Sequence, residues 1–415
     1  MKKTLLVLLL SACCGATFAD RTLTITVANP LGVARQDVPV VIPLSAYGTV
    51  CSALVTTDGK EIPCQLDDLD QDETFDELCF LADLGSKERR DYTVTLLDQG
   101  EPRPYPARVF AEMVMSNSKD KKLKKNQQNN YIESITARGD AAYTYNLQHH
   151  HGVDFESELN GIRIYFDARQ TLDLYGKFNK QLELRETQFY TDDDQKARGY
   201  GDDVLWVGQT FGLGAFRGWD GTKPTLVEPV KSRTQRIISY GPLRTIVEVI
   251  DKGWQLPQTS AASHQPSSVN MTLRYIQYAG HRDTDVDVFF NRDVDNFRFS
   301  TGIINVKGSE EFSDRKGLRA CWGTDYPSTD TLKWKRETVG LAVLVPQKNI
   351  ASEEPANKDN YTYVLRVNGR QMSYKVNYTS ANESFGYHSA REWFDYLKAW
   401  RREADHPVTV SIRPL

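Results

Sequence analysis

Between His149 and Lys177 the chain reads HHHGVDFESELNGIRIYFDARQTLDLYGK, with ionisable side chains recurring at every second position. Alternate side chains of an extended strand share a face. Asp154, Glu156 and Glu158 therefore form one polar row, Arg163, Tyr165 and Asp167 a second, and Asp173, Tyr175 and Lys177 a third. Phe155, Leu159, Ile162, Ile164, Phe166, Leu172 and Leu174 belong to the opposite, apolar face. Arginine, tyrosine, aspartate and three consecutive histidines suit a site that grips a polar, anionic ligand. β-Elimination from a uronic acid needs a cation on the carboxylate, a base for the C5 proton and an acid for the leaving oxygen. Arg163 or Arg217, His150 or His151, and Tyr165 or Tyr175 are the candidates for these three catalytic roles. Hydrolysis by paired carboxyl groups has its candidates in Glu156, Glu158, Asp167, Asp173, Asp202, Asp203 and Asp220. A mutarotase-like epimerase would pair Glu156 as base with His151 as acid. The plainer reading of the same alternation is an antiparallel sheet with one solvated face.

A second stretch adds binding groups. From Gly199 to Gly221 glycines are too dense for helix or regular strand, and they separate Tyr200, Trp206 and Trp219 from Asp202, Asp203, Arg217 and Asp220. Aromatic faces suit the C–H faces of sugars, while Asp and Arg suit hydroxyls and carboxylates. Together with Glu156, Glu158, Asp167 and Lys177, they make a substrate-binding set for an oligo- or polysaccharide. Such a set would equally serve a non-catalytic glycan-binding protein. The discriminating feature is whether the histidine run faces the pocket or the solvent. No Lys-Ser or Lys-Thr follows the glycines at the spacing a phosphate loop needs, so a phosphate loop is excluded. Neither elimination nor hydrolysis requires a cofactor, and no Cys/His spacing suggests a structural zinc site. Calcium is the one ion the acidic rows admit. The separate cluster Asp67, Asp68, Asp70, Asp72 and Glu73 lacks the spaced pattern of a calcium loop and reads as a solvated turn. Lys119 to Lys125 is a basic run, read as a solvated loop with acidic-glycan binding as its alternative.

These residues need elements to hold them. A chain of 415 residues accommodates one large β domain or two units with separate cores. Residues 1–19 have the form of a secretory signal, with Lys2-Lys3, an apolar run and small residues up to Ala19. The expected location is therefore periplasmic or secreted; the alternative is a lipoprotein anchored through Cys13, in Leu10-Ser11-Ala12-Cys13. No later apolar run is long enough to span a membrane. A net charge of -4 and the lack of a long basic patch exclude nucleic acid as a partner. From residue 20 to 103, short alternating strands predict an amino-terminal β-sandwich module, ending in the proline-rich Glu101 to Pro106. Residues 104–415 follow as a second, larger β domain. Near its end, Ser389 to Arg402 predicts a helix capped by Ser389, with Trp393, Tyr396, Leu397 and Trp400 on its buried side. Cys64 and Cys79 sit on neighbouring strands, and a disulfide between them is the expected pairing in an exported chain.

Several of these stretches occur together in one order: DGKEIPCQLDDLDQDETFDELCFLADL, the His149–Lys177 segment, GYGDDVLWVG, GAFRGWDG and YGPLRTIVEV. They resemble the family called domain of unknown function 4861 over nearly the whole mature chain. The resemblance implies a secreted protein of polysaccharide-degrading bacteria, with an antiparallel β-supersandwich similar to galactose mutarotases and some polysaccharide lyases. It also implies a place beside enzymes that degrade pectin-like, uronic-acid glycans. It carries no catalytic assignment.

Overall fold

The computed structural model describes residues 21–116, 123–257 and 268–414. The expected signal segment with Cys13, and Lys119, Lys121 and Lys122 of the basic run, lie outside these residues. The protein is mainly β, in antiparallel sheets, with one long helix near its end.

In the amino-terminal module, strands Arg21–Ala28, Ser52–Thr57, Lys60–Ile62 and Arg89–Leu97 share one sheet, and Arg35–Pro43, Cys64–Asp67 and Glu77–Leu84 form another. Alternate apolar residues close their core, among them Leu23, Ile25, Val27, Val40, Ile42, Phe80 and Val94. Burying each such side chain stabilises the fold by roughly 1.5–3 kcal/mol. The first sheet is completed by the last strand of the chain, Thr409–Pro414, which pairs antiparallel with Arg21–Ala28. The expected disulfide is not formed, and all four of Cys51, Cys64, Cys79 and Cys321 are free thiols. The register explains why: Cys64 lies opposite Phe80 and Cys79 opposite Gln65. Directly opposed residues share a face, so the two sulfurs point to opposite sides of the sheet.

The module docks on the larger unit through buried polar groups. Arg244 donates to Asp67 at 2.7 Å and Glu77 at 2.7 Å, while Gln65 accepts from the backbone N–H groups of Leu243 and Arg244. The larger unit is a sandwich. A nine-stranded sheet, from Glu310–Ser313 at one edge to Ser134–Arg138 at the other, contributes Val249, Leu273, Val288 and Val343 to the core. Two five-stranded sheets supply the facing side chains, including Phe155, Ile164 and Leu174 from one and Phe299, Ile303 and Tyr363 from the other.

The predicted helix spans Ala390–Asp405, with Ser389 as its cap, accepting from the Glu392 N–H at 3.3 Å. Trp393, Leu397 and Trp400 pack on Leu318, Ala320 and Ala342 of the large sheet. No helix among the described residues is long and apolar enough to cross a membrane.

Candidate functional site

The central stretch folds as expected into neighbouring strands: Gly152–Ser157, Gly161–Tyr165 and Leu172–Gly176, flanked by Val109–Glu112 and Asp202–Asp203. In register, Asp154 faces Arg163, Arg163 faces Asp173, and Asp154 faces Glu112 on its other side. The polar face of this sheet is not solvated. Asp154, Glu156, Asp173 and Tyr175 are at most 1 % exposed and Arg163 is 5 % exposed. Its cover comes from residues 183–203, which include the short helices Leu184–Thr187 and Asp193–Ala197, and from the loop carrying Tyr145 and the histidines. Leu184 and Phe189 pack on Tyr175, and the Arg163 guanidinium lies 4.2 Å from the centre of the Phe189 ring.

Several predicted site residues hold this cover in place. Glu156 accepts from Lys177 Nζ at 2.5 Å and from the Glu183 and Leu184 N–H groups at 2.8 Å, so it anchors the first covering helix. Lys177 also donates to the Ser157 and Gln181 carbonyls. The Tyr175 hydroxyl donates to the Gly201 carbonyl at 2.8 Å. Arg217 donates to the carbonyls of Gln209 and Thr210 and to the Thr171 hydroxyl, and burial lowers its pKa to about 10. None of these four is presented to a ligand. Glu158 pairs with Arg108 at 2.6 Å, where the two modules meet. Trp219 is buried on the strand Arg217–Trp219, second from the edge of its sheet, Asp220 closes an exposed turn onto Thr222 and Lys223, and Tyr200 lies against Arg198. Trp206 is half exposed and lines a separate cavity of about 570 Å³ with Asn305 and Asp359.

What the fold does bring together is a cluster around Arg163. Arg163 donates through Nε and Nη2 to Asp173 Oδ2 at 3.0 and 2.6 Å, and Nη2 also reaches Asp203 at 3.2 Å. The Tyr165 hydroxyl donates to the same Asp173 oxygen at 2.5 Å. Arg163 Nη1 is buried without a hydrogen-bond partner. Burial, with Asp173 next, holds the Asp203 carboxyl well above its ordinary range, and burial with Asp173 likewise raises Tyr165. Tyr145 stands edge-on to Tyr165, with ring centres 5.1 Å apart, and stacks on His151 at 3.9 Å. Arg169, paired with Asp167 at 2.5 Å, caps both tyrosine rings.

His151 is fixed by backbone geometry. Its φ is +72°, and a Cβ on the next residue, Gly152, would sit 1.7 Å from the Ile164 carbonyl oxygen, so only glycine fits there. Nδ1 lies 3.0 Å from the Tyr145 carbonyl, which can only accept; Nδ1 therefore carries the proton and Nε2 the lone pair. Burial, then Arg163, pushes the His151 pKa down to about 4, so the ring is neutral near pH 7. His149 donates through Nε2 to the Lys125 carbonyl and stands edge-on to Tyr190. His150 turns the other way, into the interior beside Glu112 and Asp154.

Outside this cluster opens a lysine-rich cleft of about 370 Å³, lined by Lys124, Lys125, Lys196, Lys333 and Trp334 together with Asp192, Asp193 and Asp202, with Tyr190 in its wall; Lys124 pairs with Asp192 at 3.9 Å. Lys125 Nζ lies 3.4 Å from the centre of the Tyr190 ring, and Lys196 lies 5.0 Å from that of Trp334. Asp202, a predicted binding residue, pairs with Lys196 at 2.6 Å. Burial, then Arg163 and Lys333, lowers the Lys125 pKa, the sign of a crowded positive field. A larger cavity of about 730 Å³ lies between the modules, but its ionic groups already pair with one another, Asp283 with His281 and Lys375.

The cleft lysines 196 and 333, Trp334, Tyr145, Tyr190 and Glu112 were not among the sequence candidates. Lys125 belongs to the basic run and lines the cleft. Glu112 joins Asp154 only through strand pairing, which no local spacing signals. Asp68, Asp70 and Asp76 also converge, but Asp68 is committed to the N–H groups of Gln71 and Glu73.

The quoted motifs lie on this sheet and its cover, on the strands through which the amino-terminal module docks, and on Arg217–Trp219 of the other five-stranded sheet, and a family model, domain of unknown function (DUF4861), matches residues 27–410. The chain belongs to this DUF4861 family. No curated protein matches it. Among solved structures, DUF4861 as seen here is similar to an α-mannosidase from Enterococcus faecalis V583, at 10 % identity and a TM-score of 0.50, over 94 % of this chain and 46 % of that one. A second similar structure is a protein in glycosyl hydrolase family 38 from Enterococcus faecalis, at 10 % identity and a TM-score of 0.47, over 94 % and 47 %. This DUF4861 chain thus spans about half the length of the solved structures it matches, and the α-mannosidase likeness is one of fold.

Proposed function

We propose that the protein is exported and carbohydrate-active, and that it cleaves uronic-acid-containing, pectin-like oligo- or polysaccharides by β-elimination. The observation that carries this reading is a lysine-rich cleft whose Lys125 and Tyr190 stand beside the buried Arg163 and the histidine run. Lysines and Trp334 suit an anionic sugar: charge meets the carboxylates and the indole face meets the ring. Lys125 and Arg163 neutralise the uronate carboxylate, which acidifies the C5 proton. His151 Nε2 takes that proton, the C4–O bond breaks as the C4–C5 double bond forms, and the protonated Tyr165 phenol supplies a proton to the leaving oxygen. A bound carboxylate raises the His151 pKa toward the working range, since opposite charge favours imidazolium. His151 stacks on Tyr145, which stands edge-on to Tyr165, and feels the charge of Arg163, which supports the catalytic reading.

A hydrolytic reading has one observation in its favour: Asp173 and Asp203 share one guanidinium nitrogen, and burial, then Asp173, raises the Asp203 carboxyl well above its ordinary range. Ultraviolet absorbance during incubation with a panel of uronic-acid glycans, with and without calcium, separates the two. Elimination produces an unsaturated uronate and a steady rise in absorbance. New reducing ends without that rise would replace elimination by hydrolysis, and binding without either product would leave a glycan-binding protein.

A further inference from the structure

Behind Arg163 on the same sheet face lies a second cluster that the proposed chemistry does not use. Glu112 ends the strand Val109–Glu112, Asp154 lies opposite it in Gly152–Ser157, and His150 precedes that strand. All three side chains are at most 2 % exposed. His150 Nε2 lies 3.4 Å from Asp154 Oδ2 and 3.7 Å from Glu112 Oε1, and one donor atom from each residue falls within 4.8 Å of the others. Both oxygens of Glu112, both of Asp154 and both nitrogens of His150 meet no hydrogen-bond partner among the described residues. A buried carboxylate pair without donors is rare, because desolvation and mutual repulsion oppose it.

The spacing itself suggests what belongs between them. At these separations the atoms are too far apart for good hydrogen bonds. Ligands bound at about 2.0–2.1 Å around a tetrahedral ion, however, lie about 3.4 Å from one another. We propose that Glu112, His150 and Asp154 bind one divalent first-row transition-metal ion, zinc foremost. Two carboxylates balance the ion's charge within the interior, and one imidazole selects for this class over calcium or magnesium. Three protein ligands leave a fourth position for water or another ligand. The ion ties two strands to the segment that presents His151, so it is a positioning element for the cleft. Burial, then Glu156, raises Glu112 to about 8, and burial, then Glu112, raises Asp154 well above its ordinary range; a cation relieves both.

Elemental analysis of the purified full chain after gel filtration tests this. The expected result is close to one zinc or other first-row ion per chain, falling at least tenfold in Glu112→Gln and His150→Ala. Wild-type protein stripped by a chelator should regain a higher unfolding midpoint with equimolar zinc ions. With cobalt ions it should show a visible d–d absorption that Glu112→Gln lacks. The zinc titration reads the wild-type chain and stands even where a variant fails to fold. Three results overturn the proposal: stripped wild-type protein that gains neither stability nor cobalt absorption, metal retained equally by both variants, or calcium or magnesium in place of a transition metal.

Discussion

Replacing His151 by asparagine should flatten the acid limb of the protein's stability. Asparagine tolerates the left-handed backbone that His151 adopts, so the substitution removes the titrating ring without straining the loop. The ring's pKa falls from 6.5 to about 4 on folding, chiefly by burial and next by Arg163. Between these values the unfolded chain binds the proton and the folded one does not. Stability from this group is therefore complete above the unfolded value and is lost as pH falls from 6.5 toward 4. At about pH 4.5 a fully sealed ring would have lost about 2.5 kcal/mol, at 1.36 kcal/mol per pKa unit. His151 is only partly buried, and screening by solvent reduces the expected loss to about 1–2 kcal/mol. Glu112 and Asp203, both raised, act with the opposite sign and lose stabilisation as pH rises. The assay is accordingly a difference: urea unfolding of wild type and His151→Asn at about pH 7.5 and about pH 4.5. The variant should lose about 1–2 kcal/mol less than wild type between the two. Equal losses in both proteins would refute the placement of a neutral, desolvated His151 beside Arg163.

Glu156→Ala leaves Lys177 charged in the interior and uncaps the Leu184–Thr187 helix, so denaturant unfolding should show a loss of about 3–5 kcal/mol, with much of it regained in Glu156→Gln/Lys177→Met. Lys125→Ala, Lys196→Ala and Lys333→Ala should each weaken binding of an oligouronate about two- to fivefold by calorimetry, and added salt should shrink the difference. Thiol titration without reductant should find Cys51, Cys64, Cys79 and Cys321 all reactive in denaturant; in the native chain Cys79, its thiol pushed up to about 12 by burial, should be silent.

The fold was legible where the side-chain period is long and uninterrupted. Ile162, Ile164, Leu172 and Leu174 alternate cleanly and do face the core, and Trp393, Leu397 and Trp400 keep helical spacing and do form the buried stripe. The site was legible only in part. A period of two tells which residues share a face, yet not whether water or protein lies over it. The cover here is made from segments too short to announce themselves: Leu184–Thr187 is a single turn, below the length at which periodicity or propensity gives a signal. Glu156, Tyr175 and Lys177 therefore looked like ligand-facing groups when they are the fasteners of that cover. The same limit explains Cys64 and Cys79, whose adjacency in strands was readable and whose opposed faces required the register.

A sheet that buries its polar face must pair nearly every group on it, because each unpaired buried polar atom costs about 1–3 kcal/mol. Most of this face obeys: Glu156 has three donors, Tyr175 a carbonyl, and Asp173 both Arg163 and Tyr165. Thr187 Oγ1 in the cover and Asp202 Oδ2 on the flanking strand are single exceptions, and the others group together. Arg163 Nη1 points out of the network on one side, and Glu112, His150 and Asp154 stand unpaired on the other. Among the described residues, Glu112 and Asp154 are the buried carboxyls with both oxygens unpaired, and they lie on adjacent strands beside Arg163. Poor packing would spread its defects; a ligand-binding face concentrates them where the missing partner belongs to the ligand. An anionic sugar answers the arginine and a cation answers the carboxyls, so the two proposals explain complementary halves of one buried surface.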